Sequence, residues 1–400
     1  MQGTDYGDPN TAAVMRKELQ ARLAESATTG KPLKVYCGYD PRRPDLHLGH
    51  TITMRKLRQF QELGHDVTFL IGTYTSLIGQ PDQDKARDLL SAAQVEENAR
   101  TYAEQAFKIL DRDKTQVRRN AEWLAPLNFG DLIQMASHFT VQQFLARDNF
   151  RKRLDAGDPI YLHETFYSLM QAYDAVAQET DVQIGGADQL FNIVVAGRKL
   201  QESMGQRPMI AIIVGESLPG TDGVQKMSKS LGNHIPLLAT PEDMYGKIMS
   251  VPDLAMLAYH KLLLGWGGEQ LTQLARNLQT RPKEVKMALA REIVTIFIGE
   301  EAAVRGEEHF VTVFVSKDDK AVPDDIPEIT VTSDNTSLID LISQAGLVAS
   351  KGEGRRLIEQ GGIRVDGSTV SGFDHRIRLS AGHSAVIKVG KRKFLRVRRE

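Results

Sequence analysis

At 400 residues the chain has room for two or three domains, by a prior of roughly 150 residues each, and its 41% apolar and 25% charged residues are proportions of a globular protein. A formal net charge of -1 excludes a molecule that binds nucleic acid through its overall charge, and a single cysteine, Cys37, excludes an internal disulfide and fits a reducing compartment. No apolar run approaches the roughly 18 residues of a membrane span, and the polar, acid-containing N-terminus lacks the apolar centre of a secretion signal, so a soluble cytoplasmic protein without membrane contact is expected.

Residues 10–25 read as an amphipathic helix with Val14, Leu19 and Leu23 on one face, broken at Thr28, Thr29 and Gly30. Residues 33–38 predict a short strand running into Gly38-Tyr39-Asp40-Pro41. A helix follows over about 46–63, with Gly64 where a C-terminal cap belongs, and residues 67–71 predict a second buried strand. Strand, helix, strand implies a parallel pair with a crossover helix. Residues 101–155 read as helical with loops, an insertion into the alternation. A helix over 165–178, a short strand over 182–184 entering Gly185-Gly186, and a strand over 209–214 complete an open α/β nucleotide-type fold.

Beyond Pro241 the pattern turns helical, with candidates at 242–249, 254–264, 269–278 and 282–298. The run Val322-Pro323-Asp324-Asp325-Ile326-Pro327 has the composition of a linker. A small third domain then carries helices at 338–345 and 352–360 and short strands. The boundaries drawn are 1–235, with the insertion at about 101–160, then 236–320, a linker at 321–332, and 333–400. From Arg376 onward the charges are basic up to the terminal Glu400, which implies either a localised polyanion contact or a solvated, disordered tail.

Two short motifs carry chemistry. His47-Leu48-Gly49-His50 begins a helix just after the first strand, where ligands bind in sheets of this kind. Gly49 lets a nucleotide ring or another chain come close, and imidazole N–H groups at a helix start suit phosphate oxygens. The alternatives are a pair of polar surface histidines, or a zinc pair, which lacks a third ligand at useful spacing. Lys226-Met227-Ser228-Lys229-Ser230 lies among Gly220, Gly223 and Gly232, on a loop expected to be mobile. Its two lysines can reach adjacent phosphates and neutralise charge on a pyrophosphate leaving group, or it is a basic surface loop.

Together the two motifs resemble the paired signatures of class I aminoacyl-tRNA synthetases, and the resemblance spans most of the chain. It implies a Rossmann-type ATP site in which an amino-acid carboxylate attacks the α-phosphate, with magnesium accompanying ATP and no tightly bound metal. Tyr36 on the first strand, and Tyr167, Gln171 and Asp174 at i, i+4 and i+7 on one helix face, form a polar set that needs a partner or faces solvent. These segments, with Gly185-Gly186-Ala187-Asp188-Gln189, resemble tyrosyl-tRNA synthetases.

That likeness implies that Tyr36 and Asp174 hydrogen-bond a substrate phenol, that Tyr167 and Gln171 hold its α-ammonium, and that Asp188 and Gln189 lie near the ribose or the amino-acid backbone. His47, His50, Lys226 and Lys229 are then the catalytic set, and Gly38, Asp40, Gly49, Asp188, Met227 and Ser228 line ATP. There are two departures. Leu77-Ile78-Gly79 is followed by Gln80 where the family usually has an aspartate on the substrate ammonium, a charge that Asp40 could replace. Arg42 stands where many members have a threonine near the phosphates, as an ATP clamp or an exposed loop residue beside Arg43.

The last domain resembles the small RNA-binding fold named for ribosomal protein S-four, with Lys351, Arg355 and Arg356 placed for a phosphate backbone. The implied partners are L-tyrosine, ATP, tRNA(Tyr) and a second copy of the chain, docked through residues 123–138. A tryptophanyl enzyme would leave the donor Tyr36 without a partner, and a non-catalytic RNA-binding protein would have no use for the histidine and lysine motifs.

Overall fold

In the computed structural model the described residues are 3–79, 81, 88–315, 326–333, 335–380, 382–390 and 393–399. Packing divides the chain into two compact units. One comprises Met1–Thr240 with Lys247–Ile298, the other Pro241–Gly246 with Gly299–Glu400.

The first unit is built on five strands: β1 (Lys34–Tyr39), β2 (Asp66–Ile71), β3 (Thr115–Arg119), β4 (Val182–Gly186) and β5 (Ile210–Val214). All neighbours are parallel, in the order β3-β2-β1-β4-β5. The apolar runs explain the centre. β5 is buried throughout, and β2 is buried at Val67, Phe69, Leu70 and Ile71, as parallel strands covered on both faces must be. The Thr51–Glu62 helix crosses from β1 to β2 and buries Ile52, Met54, Leu57 and Phe60. The first helix, Pro9–Thr29, starts on the Asp8 carboxylate, which accepts from the amides of Asn10 and Thr11. It ends at Gly30, whose φ of 69° is a left-handed cap that a side chain would oppose.

The inserted region, read from the sequence as helical with loops, also contributes a strand. Thr115–Arg119 adds β3 to the sheet edge, where half-exposed polar residues replace the buried apolar run that marks a central strand. The Leu162–Ala177 helix begins three residues earlier than expected, because Glu164 accepts from the Tyr161 amide at 2.9 Å. The strand order reverses between β1 and β4, and such a switch point opens a crevice at the carboxyl ends of the two strands.

In the second unit, β6 (Glu328–Val331), β12 (Lys393–Arg399), β11 (Ser384–Val389), β8 (Ile363–Val365) and β9 (Ser368–Thr369) form a mixed sheet in that order. A strand pair, β7 (Asn335–Ser337) with β10 (Arg376–Arg378), flanks the helices Leu338–Gln344 and Lys351–Glu359. Residues 321–325 of the expected linker lie outside the described residues, and Glu328–Val331 within it is strand. The basic C-terminal stretch is strand as well, alternating buried Ile387, Val389, Leu395 and Val397 with outward basic residues. Among the described residues no helix is long and apolar enough to cross a membrane.

Candidate active site

The crevice between β1 and β4 holds a narrow cleft, lined on one side by strand ends and on the other by the Leu162–Ala177 helix. Tyr36 and Gln183 are partners across the β1–β4 junction, so both point to one face of the sheet. A polar pair inside a buried parallel sheet is unusual and marks the floor of the cleft. The Tyr36 hydroxyl is buried without a hydrogen-bond partner among the described residues. Burial holds its pKa well above the usual phenol value, helped by the nearby Asp174 carboxylate.

Asp174 is 3% exposed. Its Oδ1 accepts from the Trp123 indole at 2.8 Å and its Oδ2 from the Asn120 amide at 3.3 Å. Burial dominates over these donors and pushes the carboxyl up to about 8. Tyr167 and Gln171, on the same helix face, are buried too, so the stripe faces the cleft and not solvent. Tyr167 donates its hydroxyl to Asp40 Oδ2 at 2.9 Å, and Thr75 donates to Asp40 Oδ1 at 2.7 Å. Gln171 Nε2 donates to Gln189 Oε1 at 2.9 Å. One end of the cleft thus presents Tyr36 and Asp174, and the other a carboxylate and two amides. Gly38 lines the cleft as well.

The histidine motif is a capped 3-10 turn, Leu48–His50, leading into the Thr51–Glu62 helix. The Gly49 amide donates to His47 Nδ1 at 3.2 Å and the His47 amide to His50 Nδ1 at 3.1 Å. With both Nδ1 atoms accepting, each neutral ring carries its proton on Nε2, a donor suited to phosphate. Burial, then neighbouring positive charge, pushes His50 down to about 3 and His47 well below its ordinary value, so both rings are neutral at pH 7. A Cβ on Gly49 would lie 3.0 Å from the His47 ring, which is why glycine fits there.

The lysine loop is brought beside this turn by the segment that follows it, which bridges His47 at Pro236. Leu48 donates to the Ile235 carbonyl at 3.0 Å and Leu237 to the Leu46 carbonyl at 2.9 Å. Within the loop, Met227 is buried and the Ser228 amide donates to Asn233 Oδ1 at 2.7 Å. Lys226 Nζ lies 3.6 Å from Asp188, both exposed. Lys229 approaches the Tyr102 hydroxyl at 3.3 Å, and burial lowers its ammonium to about 8. Both lysines act electrostatically on both histidines, so the two motifs lie close together, neutral ring N–H donors beside two ammonium groups.

Arg42 is engaged by backbone carbonyls. Its Nη1 donates to the carbonyls of Ser76 at 2.8 Å and Ile78 at 3.2 Å, and its Nη2 to that of Asp88 at 2.6 Å. Gln80 lies outside the described residues. Lys351, Arg355 and Arg356 sit together on the last long helix, which buries Gly354 and Ile358; Lys351 pairs with Asp340 at 2.6 Å. Sequence reasoning did not assign site roles to Asn120, Thr75 and Gln183, and placed Trp123 only in a subunit contact. Gln183 alone left a signal, as a polar residue inside an apolar strand.

Comparison with known proteins gives the family. A family model described as class I tRNA synthetases (W and Y) matches residues 28–315, and one described as the tyrosine–tRNA ligase SYY-like C-terminal domain matches 319–397. The tyrosine–tRNA ligase of Moorella thermoacetica is 46% identical over 388 residues, covering 96% of this chain and 92% of its own. That of Geobacter sulfurreducens is 46% identical over 390 residues, covering 96% and 95%. Among solved structures, a C-terminally truncated Aspergillus nidulans mitochondrial tyrosyl-tRNA synthetase superposes with a TM-score of 0.59 at 22% identity, covering 73% of this chain and 89% of its own. An Archaeoglobus fulgidus tyrosyl-tRNA synthetase complexed with L-tyrosine gives 0.57 at 23%, covering 73% and 94%; these two show the fold. The chain belongs to the class I aminoacyl-tRNA synthetases, in the tyrosyl-tRNA ligase family with its C-terminal domain.

Proposed function

We propose that this chain activates L-tyrosine with ATP and transfers it to the terminal adenosine of tRNA(Tyr). The observation that carries the reading is the buried, unpartnered Tyr36 hydroxyl beside Asp174. A site with a buried hydroxyl beside a buried carboxyl is satisfied by a phenol, and phenylalanine would leave the Tyr36 hydroxyl unpaired.

The substrate ammonium sits between Tyr167, Gln171 and the Asp40 carboxylate, and Asp40 supplies the charge that Gln80 does not. ATP enters as its magnesium complex, against Gly38, Gly49, Asp188, Met227 and Ser228. A tyrosine carboxylate oxygen attacks the α-phosphorus, the bond to the β-phosphate oxygen breaks, and pyrophosphate leaves with the electron pair. Nε2–H groups of His47 and His50 donate to phosphate or ribose oxygens. Lys226 and Lys229 stabilise charge accumulating on the pyrophosphate side. The 2′-hydroxyl of the terminal adenosine then attacks the carbonyl of the mixed anhydride, an ester forms and AMP departs. No covalent enzyme intermediate is required; orientation and charge supply the rate.

Residues 1–235 carry this chemistry, 236–320 lie on the anticodon side, and 333–400 grip RNA backbone through Lys351, Arg355 and Arg356. A homodimer forms through the inserted helices, where Phe129 and Ile133 are 75% and 57% exposed. The test is charging of bacterial tRNA with radiolabelled tyrosine, by the full chain and by a truncation ending at residue 325. The full chain should charge, and the truncation should keep adenylate formation while losing charging. A truncation that loses adenylate formation and keeps charging would reverse the domain roles.

A further inference from the structure

Arg147 is 6% exposed, lies 5.2 Å and 5.3 Å from the ring centroids of Phe150 and Phe191, and forms no ion pair among the described residues. Burial lowers it to about 10, so it is still a cation at neutral pH. A buried cation is costly unless its donors are used. Its Nη1 donates to Ser168 Oγ at 2.6 Å. Ser168 gives its own proton to Asn192 Oδ1 at 2.8 Å, Asn192 Nδ2 donates to Gln171 Oε1 at 2.8 Å, and Gln171 Nε2 donates to Gln189 Oε1 at 2.9 Å.

A guanidinium has donors only. It obliges Ser168 to accept, and with the Ser168 hydroxyl then donating to Asn192 Oδ1, each amide after it has one orientation that avoids two donors or two acceptors face to face. The run ends at Gln189, which lines the cleft and whose remaining group is its Nε2 donor. We propose that Arg147 is a positioning residue which, through Ser168, Asn192 and Gln171, orients Gln189 to offer an N–H to the substrate carboxylate and Gln171 to offer its oxygen to the substrate ammonium. The proposal rests on the reading of the cleft as a tyrosine site. With the orientations reversed, an amide oxygen would face the carboxylate and repel it.

Asn192→Asp tests this with almost no change of volume. An ionised carboxylate accepts only, so it cannot donate to Gln171, and both glutamines must turn over. Ser168→Ala cuts the same run by removing one hydroxyl, and carries the test if the first variant fails to fold. In tyrosine-dependent ATP–pyrophosphate exchange, Asn192→Asp should lower kcat/KM for tyrosine about tenfold or more, and Ser168→Ala about threefold to tenfold. KM for ATP and the ratio of tyrosine to phenylalanine should stay within about twofold of wild type, because other residues build those ends of the site. Wild-type kinetics in both variants would overturn the proposal, and so would a collapse of the tyrosine-to-phenylalanine ratio, which signals general loosening. Absence of tyrosine exchange in the wild-type protein would remove the functional reading itself, and the proposal with it.

Discussion

Replacing Tyr36 with phenylalanine should move stability and activity in opposite directions. The hydroxyl is internal to the fold: the residue is 2% exposed, and no described group accepts from it or donates to it. A buried, unsatisfied hydroxyl costs about 1–3 kcal/mol, so Tyr36→Phe should stabilise the ligand-free protein by an amount in that range. With tyrosine bound the same hydroxyl gains a phenol partner, and a neutral hydrogen bond is worth about 0.5–1.5 kcal/mol net, or roughly threefold to tenfold in kcat/KM. Phenylalanine gains nothing from the hydroxyl, so its kcat/KM should hold or rise. Thermal unfolding without ligand, with pyrophosphate exchange for both amino acids, reads all three quantities. A variant that is less stable and equally selective would refute the assignment of Tyr36 to the substrate phenol.

Three further outcomes follow from the same geometry. Lys229→Ala should lower kcat for adenylate formation about 10²-fold, with KM for tyrosine little changed, because its charge acts on the departing pyrophosphate; an unchanged kcat in single-turnover assays assigns the loop another role. Asp174 in the ligand-free fold titrates near 8 against 3.8 in an unfolded chain, so the folded state holds the extra proton between those values and stability falls as pH rises through that window. The slope from this residue is at most about 1.4 kcal/mol per pH unit, and urea titrations at pH 5.5 and 7.5 should find it missing in Asp174→Asn. Arg42→Ala frees the carbonyls of Ser76, Ile78 and Asp88 and should raise KM for tyrosine through Thr75 and Asp40; a rise in KM for ATP alone would make it a phosphate ligand after all.

The strands that were legible in the sequence are those that are largely buried. β2 and β5 read as apolar runs because both their faces are covered. β3 escaped because an edge strand of Thr115-Gln116-Val117-Arg118-Arg119 has one apolar residue, itself 39% exposed. The spacing of Tyr167, Gln171 and Asp174 put them on one face, but only packing decides that this face looks inward, since the helix also carries Leu169 and Val176 buried on another side. The partners of Asp174 lie 51 and 54 residues away in sequence, and no local pattern encodes such a contact. Arg42 shows the same limit, because its direction is set by carbonyls more than 30 residues on.

The most direct test of the central claim is amino-acid-dependent ATP–pyrophosphate exchange by the purified full-length protein, run with each of the twenty amino acids. The account predicts exchange with tyrosine and essentially none with phenylalanine or tryptophan. Exchange with a different amino acid would contradict the reading of Tyr36 and Asp174, and exchange with none would contradict the assignment of the cleft to adenylate formation.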